Sequence, residues 1–394
     1  MSLPARCALR GRGSIAACVT LVWGLAACGS SGASPASGGT PADAGARDGA
    51  VVPPPSDGGG GSSDAPDDGP AGPSVLDAEC PDACGGTPVA SGLLDPVSLA
   101  VDDTDVYWIS GGDLSVMKTA TAAPGALVTL ALAQSNLGPD TVAALTVDTT
   151  DVLFASTDIG GNLTLMSVPK SGSTDAAALQ MARISIEPST LDYLSIANDG
   201  QNAYVVDPGD STLQVFPIAG GAVYSLASPS PNPAQVTAAA GSVFFSASGS
   251  WTSQAFLNDG AVLGAMPVDG GVPMPIATMQ NQPGGVAVDG STLYWTTVSG
   301  GTVMKAALPS GPAVLLAWGQ ADPTFIAVGG TYVYWSNPVE GTVVKTAKAG
   351  GGPAIVVGSG YSKPGPVAVD ATSVYWVDEG TAFTRDGAIL RAPL

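Results

Sequence analysis

The 33 Asp and Glu side chains are the first place to look for chemistry, because the chain of 394 residues has no histidine. Without one, neither a Ser-His-Asp nor a Cys-His nucleophile can be assembled, and a histidine-ligated metal is excluded too. Lyases that depend on histidine fall away on the same ground. Carboxylates remain, and they can pass protons or hold a hard cation such as Ca²⁺ through oxygen. Seven lie in segments of variable length: Asp113, Asp158, Asp207, Asp210, Asp259, Asp378 and Glu379. Asp207 with Asp210, and Asp378 with Glu379, are the candidate calcium ligands, although their spacing departs from the EF-hand loop. No other cofactor is expected. Asp102, Asp148, Asp289 and Asp370 are different, since each ends a short apolar run. An Asp there caps the following turn through backbone N–H groups, a structural role.

Thiols offer a second chemistry. Cys28 follows Leu25-Ala26-Ala27, behind Arg6, Arg10 and Arg12 and an apolar stretch too short to span as a stable helix. This arrangement resembles a bacterial lipobox. The resemblance implies that residues 1–27 are a signal peptide and that the sulfur of Cys28 carries lipid, anchoring the chain rather than threading it. Gly29, where an inner-membrane retention signal has Asp, implies delivery to the outer membrane. Cys80 and Cys84 stand in "CPDAC". An exported pair so close is expected to close a disulfide loop over 80–84. Two thiolates cannot by themselves complete a tetrahedral metal site.

The elements that position these groups come in two kinds. Residues 28–79 are Gly, Ser, Ala, Pro and Asp with little apolar surface, so a disordered tether is expected. Residues 85–394 repeat. The pair Tyr107-Trp108 returns as Leu153-Phe154, Tyr204-Val205, Phe244-Phe245, Tyr294-Trp295, Tyr334-Trp335 and Tyr375-Trp376, at intervals of 40 to 51 residues. Around each pair stand a run such as "PGGVAVD", a tight turn, a variable loop, "GTVMK" or "GTVVK", a Gly-rich turn and a last apolar run. Those parts read as four strands, A to D, of one propeller blade. Alternation sends the two aromatic side chains to opposite faces of the blade.

The repeat resembles the YWTD and TolB-like propeller families, most closely the exported "VYW…GTV.K" lipoproteins of GC-rich bacteria. Blades one, five, six and seven carry the motif fully; two, three and four carry it loosely. Such families commonly have six blades, but seven anchors predict an all-β, seven-bladed β-propeller. Its last repeat stops after strand C, at "GAILRAPL", while "GGTPVASGLLDP" (85–96) has the form of an orphan D strand. The N-terminal strand is therefore expected to complete blade seven and remove an open edge.

Lys118, Lys305, Lys345 and Arg391 share one strand-C position and read as a solvated or ion-paired framework. The D–A and B–C loops share one face of a propeller, and here that face varies. Two B–C loops exceed what blade geometry needs: 246–264, with Trp251 and Phe256, and 377–388, with Phe383 and Arg385. Those four side chains are the ligand-binding candidates. A net charge of −20 argues against nucleic acid or an anionic membrane surface as the main partner. The expected function is a monomeric, non-enzymatic module that binds a protein, peptide or glycan and touches the membrane through lipid alone. The alternatives are a calcium- and carboxylate-dependent, lactonase-like hydrolase and an outer-membrane assembly factor.

Overall fold

A computed structural model describes residues 85–394 apart from 133–140, 158–161, 173–178, 186–193, 208–211, 228–231, 240, 251–257 and 266–271. The expectations for the signal, Cys28, the tether and the Cys80–Cys84 loop lie outside the described residues.

The strands form seven sheets of four antiparallel strands. Each blade starts with an inner strand A: Pro96–Val101, Thr141–Val147, Ile196–Asn198, Pro233–Ala239, Pro283–Asp289, Ile326–Gly329 and Pro364–Val369. Neighbouring A strands touch in chain order, and the first touches the last, so the ring closes. Blade seven is completed by Thr87–Leu93, which pairs antiparallel with Gly387–Pro393, from Thr87 opposite Arg391 to Leu93 opposite Gly387. The seam joins the two ends of the propeller and leaves blade seven with four strands, as expected.

The aromatic pairs explain how the blades hold together. Seven apolar clusters fill the seven interfaces, each joining the first member of one pair to the second member of the next. Tyr107 packs with Phe154, Tyr294 with Trp335, and Tyr334 with Trp376. At the seam Tyr375 meets Trp108, together with Val89, Ala90 and Leu93 of the closing strand. Trp108, Trp295, Trp335 and Trp376 are all fully buried. The glycine that opens "GTV.K" is also geometric. Gly301 has φ +59°, and a Cβ on it would lie 2.7 Å from the Gln320 carbonyl oxygen. That backbone approach belongs to the next D–A connection, whose Gln320 N–H donates to Gly301 O at 3.0 Å.

On the face of the A–B and C–D turns, Asp102, Asp148 and Asp370 cap as expected, whereas the Asp289 carboxylate pairs with Lys348 instead. Asp102 Oδ1 accepts the N–H groups of Thr104 and Asp105, and its Oδ2 accepts the Tyr107 hydroxyl at 3.0 Å. Asp199 and Asp370 repeat this with Tyr204 and Tyr375, at 2.7 and 2.8 Å. Burial works to raise the Asp102 carboxyl, but Lys170 Nζ at 2.8 Å and the turn N–H groups outweigh it and hold the group well below the usual range. The strand-C cations complete the framework. Lys118 pairs with Asp105, Lys305 donates to Lys348 O at 2.6 Å, and Arg391 to Thr121 O at 2.6 Å. In blade six the Asp is Gly329, where a Cβ would strike Val369. Lys345 there lies over the Tyr332 ring, 4.5 Å from its centroid, and burial pushes the Tyr334 hydroxyl up to about 12.

Candidate functional site

Backbone conformation separates the two faces of the ring. Seven non-glycine residues have positive φ among the described residues: Asp95, Leu114, Asn232, Met279, Gln282, Asp322 and Phe383. Six lie in D–A or B–C connections, and Met279 is in the last two residues of the strand D that leads into one. In the A–B and C–D turns every described positive-φ residue is glycine, which adopts that region freely. Strain in non-glycine residues gathers where surrounding structure over-determines it, often at functional surfaces. The variable face is therefore also the strained one.

Four of the seven precede a proline at the entry to strand A: Asp95, Asn232, Gln282 and Asp322, with φ between 54° and 65°. A residue before proline ordinarily adopts extended backbone, so these lead-ins are held by their contacts. Asn232 Nδ2 donates to Gly249 O at 2.8 Å, and Ser299 Oγ donates to the Gln282 side chain. Sequence reading missed this set. Its signal was a polar residue before Pro96, Pro233, Pro283, Pro323 and Pro364 in turn.

The two long B–C loops have the same base. Gly249 and Gly380 have φ of 90° and 74°, and in each case an Asp just before strand C closes the loop. Asp259 accepts the Ser250 N–H at 2.8 Å, and Asp386 accepts the Thr381 N–H at 2.8 Å. These bonds hold both carboxyls below their ordinary range, led by the Ser250 N–H at Asp259 and by the Thr384 hydroxyl at Asp386. Trp251 and Phe256 lie outside the described residues. Phe383 is 79% exposed at φ +65°, on a loop whose base is fixed. Arg385 beside it is not free: its guanidinium grips Asp113 of blade one, with Nη1–Oδ2 3.1 Å and Nη2–Oδ1 2.6 Å. The side chain expected to anchor a ligand thus also straps blade seven to blade one.

The acids of the variable face are described only in part. Asp158 and Asp210 lie outside the described residues, as does the side chain of Asp207. Asp378 accepts the backbone N–H groups of Lys363 and Gly380, and Glu379 pairs with Lys363 Nζ at 2.5 Å. One lysine thus holds both acids. Among the described residues, no three His, Cys, Asp or Glu side chains gather as a metal would need.

No protein-family model matches the chain, and no curated protein matches it. Solved structures do. A streptogramin B lyase superposes with TM-score 0.60 at 12% identity, covering 78% of this chain and 97% of that one. The shared feature is the propeller. A catalytically inactive virginiamycin B lyase from Staphylococcus aureus, solved with quinupristin, gives 0.59 at 14% identity over 78% and 98%. A computationally designed protein gives 0.54 at 13% identity over 78% and 98%.

Proposed function

We propose that the chain is a non-enzymatic binding propeller, held at the outer membrane by lipid on Cys28, that presents its D–A and B–C face to a protein, peptide or glycan. The observation that carries this reading is the placement of all seven non-glycine positive-φ residues among the described ones in or beside the connections of that face. A scaffold held only for stability has no reason to store strain on one side of the ring. Phe383, exposed on a loop closed by Asp386, is the aromatic anchor of that surface. The lyase likeness does not bring lyase chemistry with it. The variant solved with quinupristin is inactive through replacement of one histidine by alanine, and this chain has no histidine.

The test is a photo-crosslinking amino acid placed at position 383 or, on the opposite face, at position 103, in cells that make the full chain. Specific adducts are expected from 383 alone. Equal labelling from both positions, or none from 383, would remove the reading. For the anchor, Cys28→Ser should move the protein out of the membrane fraction, because only a thiol accepts the lipid. Retention without a change in mass would refute it.

A further inference from the structure

Blade six breaks the pattern of the variable face at one point. In blades four, five and seven, the side chain before the strand-A proline is bonded to the B–C loop of its own blade: Asn232 to Gly249, Gln282 to Ser299, Lys363 to Glu379. These partners stand 16 or 17 residues apart. The same register in blade six sets Asp322 against Val339, which cannot bond it and is 74% exposed. Among the described residues, no hydrogen bond or ion pair reaches the Asp322 carboxylate, and burial pushes that carboxyl above its ordinary value.

The surroundings tie the two residues together. Two positions before each of them, Asn337 Nδ2 donates to Gln320 Oε1 at 3.1 Å, and Gln320 Oε1 also accepts Trp335 Nε1 at 2.9 Å. This network leaves Asn337 Oδ1 and the neighbouring Ser336 Oγ buried without partners, although both residues are fully enclosed. A half-buried carboxylate without a donor, on backbone at φ +65°, is unfavourable for folding. Three other blades avoid it by completing the contact internally.

We infer that Asp322 and Val339 form a recognition site for an organic cation on an apolar stem, the chemistry of a Lys or Arg side chain in a basic peptide. The cation supplies the counter-charge that Asp322 lacks, and the stem covers the exposed Val339. Calcium fits poorly, since it takes six to eight oxygens and one carboxylate stands here. The net charge of −20 also draws a basic partner toward the surface. This inference rests on the binding-face reading and narrows it to a class of partner.

The experiment titrates the full chain with N-acetyl-lysine amide, N-acetyl-arginine amide and calcium chloride, each alone, by calorimetry. Saturable binding of at least one amide is expected, weakened by salt and weakened roughly tenfold or more in Asp322→Asn. That variant should melt no lower than wild type, which separates a ligand contact from a structural one. Silence from both amides, unchanged binding in Asp322→Asn, or a lowered melting temperature overturns the inference. Saturation by calcium with both amides silent overturns it in favour of a metal. Amide binding reports this site alone. If it fails while adducts from position 383 persist, the binding face stands without it; if it succeeds without those adducts, the site stands and the broader reading falls.

Discussion

Asp102 and Asp322 sit at turns on opposite faces of the same ring, and their surroundings could hardly differ more. Asp102 accepts two turn N–H groups, the Tyr107 hydroxyl and the Lys170 ammonium. Asp322 has burial and no donor among the described residues. The first is a joint: Lys170 belongs to blade two, so its charge ties neighbouring blades. The second contributes nothing that holds a blade. The variable face also carries ion pairs, Arg385–Asp113 and Lys363–Glu379, but it leaves the Asp322 carboxylate and the Phe383 ring unspent. That difference is what favours the second face as the proposed recognition side.

The largest test of the contrast compares two aromatics. Trp376 is fully buried between blades six and seven, packed with Tyr334 and edge-on to Tyr361, with ring centroids 5.7 Å apart. Trp376→Ala should cost about 3–5 kcal/mol in chemical denaturation, the range for a truncated core aromatic. Phe383→Ala should stay within about 0.5 kcal/mol of wild type, because little of that ring is removed from water. Equal losses would mean that the blade-seven loop is a structural lid.

The aspartates give a smaller effect, of opposite sign on the two faces. Asp102→Asn removes the counter-charge from Lys170, whose side chain is 16% exposed, and should cost about 2 kcal/mol. Asp322→Asn should instead gain about 1 kcal/mol at neutral pH, because it deletes a desolvated charge. The pH dependence follows from the directions of the two shifts. The Asp102 carboxyl is depressed in the fold, so its contribution is full above the ordinary value of 3.8 and is lost as acid titrates the folded group. The Asp322 carboxyl is raised, so its penalty is absent below 3.8 and grows as pH rises through the folded value. Melting curves from acid to neutral pH should therefore diverge between the two variants. Parallel curves would refute the contrast.

The joint and the variable face were legible in the sequence, and the contacts on that face mostly were not. Adjacent aromatics at a blade-length interval specify both faces of a strand, and that suffices to read seven interfaces and the closing strand. An Asp two or three residues before its turn donors is local, so its cap was legible too. Asp322 was not, because its meaning lies in a partner that is missing 17 residues away. The positive φ at Asp95, Asn232, Gln282 and Asp322 contradicts what proline imposes locally, so no local rule predicts it. The Arg385–Asp113 pair was not legible, because Asp113 is 272 residues away and meets Arg385 only when the ring closes.

That strap supplies the smallest effect. Arg385 and Asp113 are 61% and 37% exposed, so breaking the pair should cost no more than about 0.2–1 kcal/mol. Its consequence for binding separates two roles that stability cannot. If the guanidinium is a strap that holds the Phe383 loop against blade one, Arg385→Ala and Asp113→Ala should reduce crosslinking from position 383 equally. The double variant should then be no worse than either single one, since the same contact is lost each time. If Arg385 is itself a ligand contact, Asp113→Ala frees it and should leave crosslinking unchanged or raise it, while Arg385→Ala lowers it. The geometry predicts the first pattern: both nitrogens at the tip of Arg385 are already engaged by one carboxylate, leaving the exposed ring of Phe383 as the group presented to a partner.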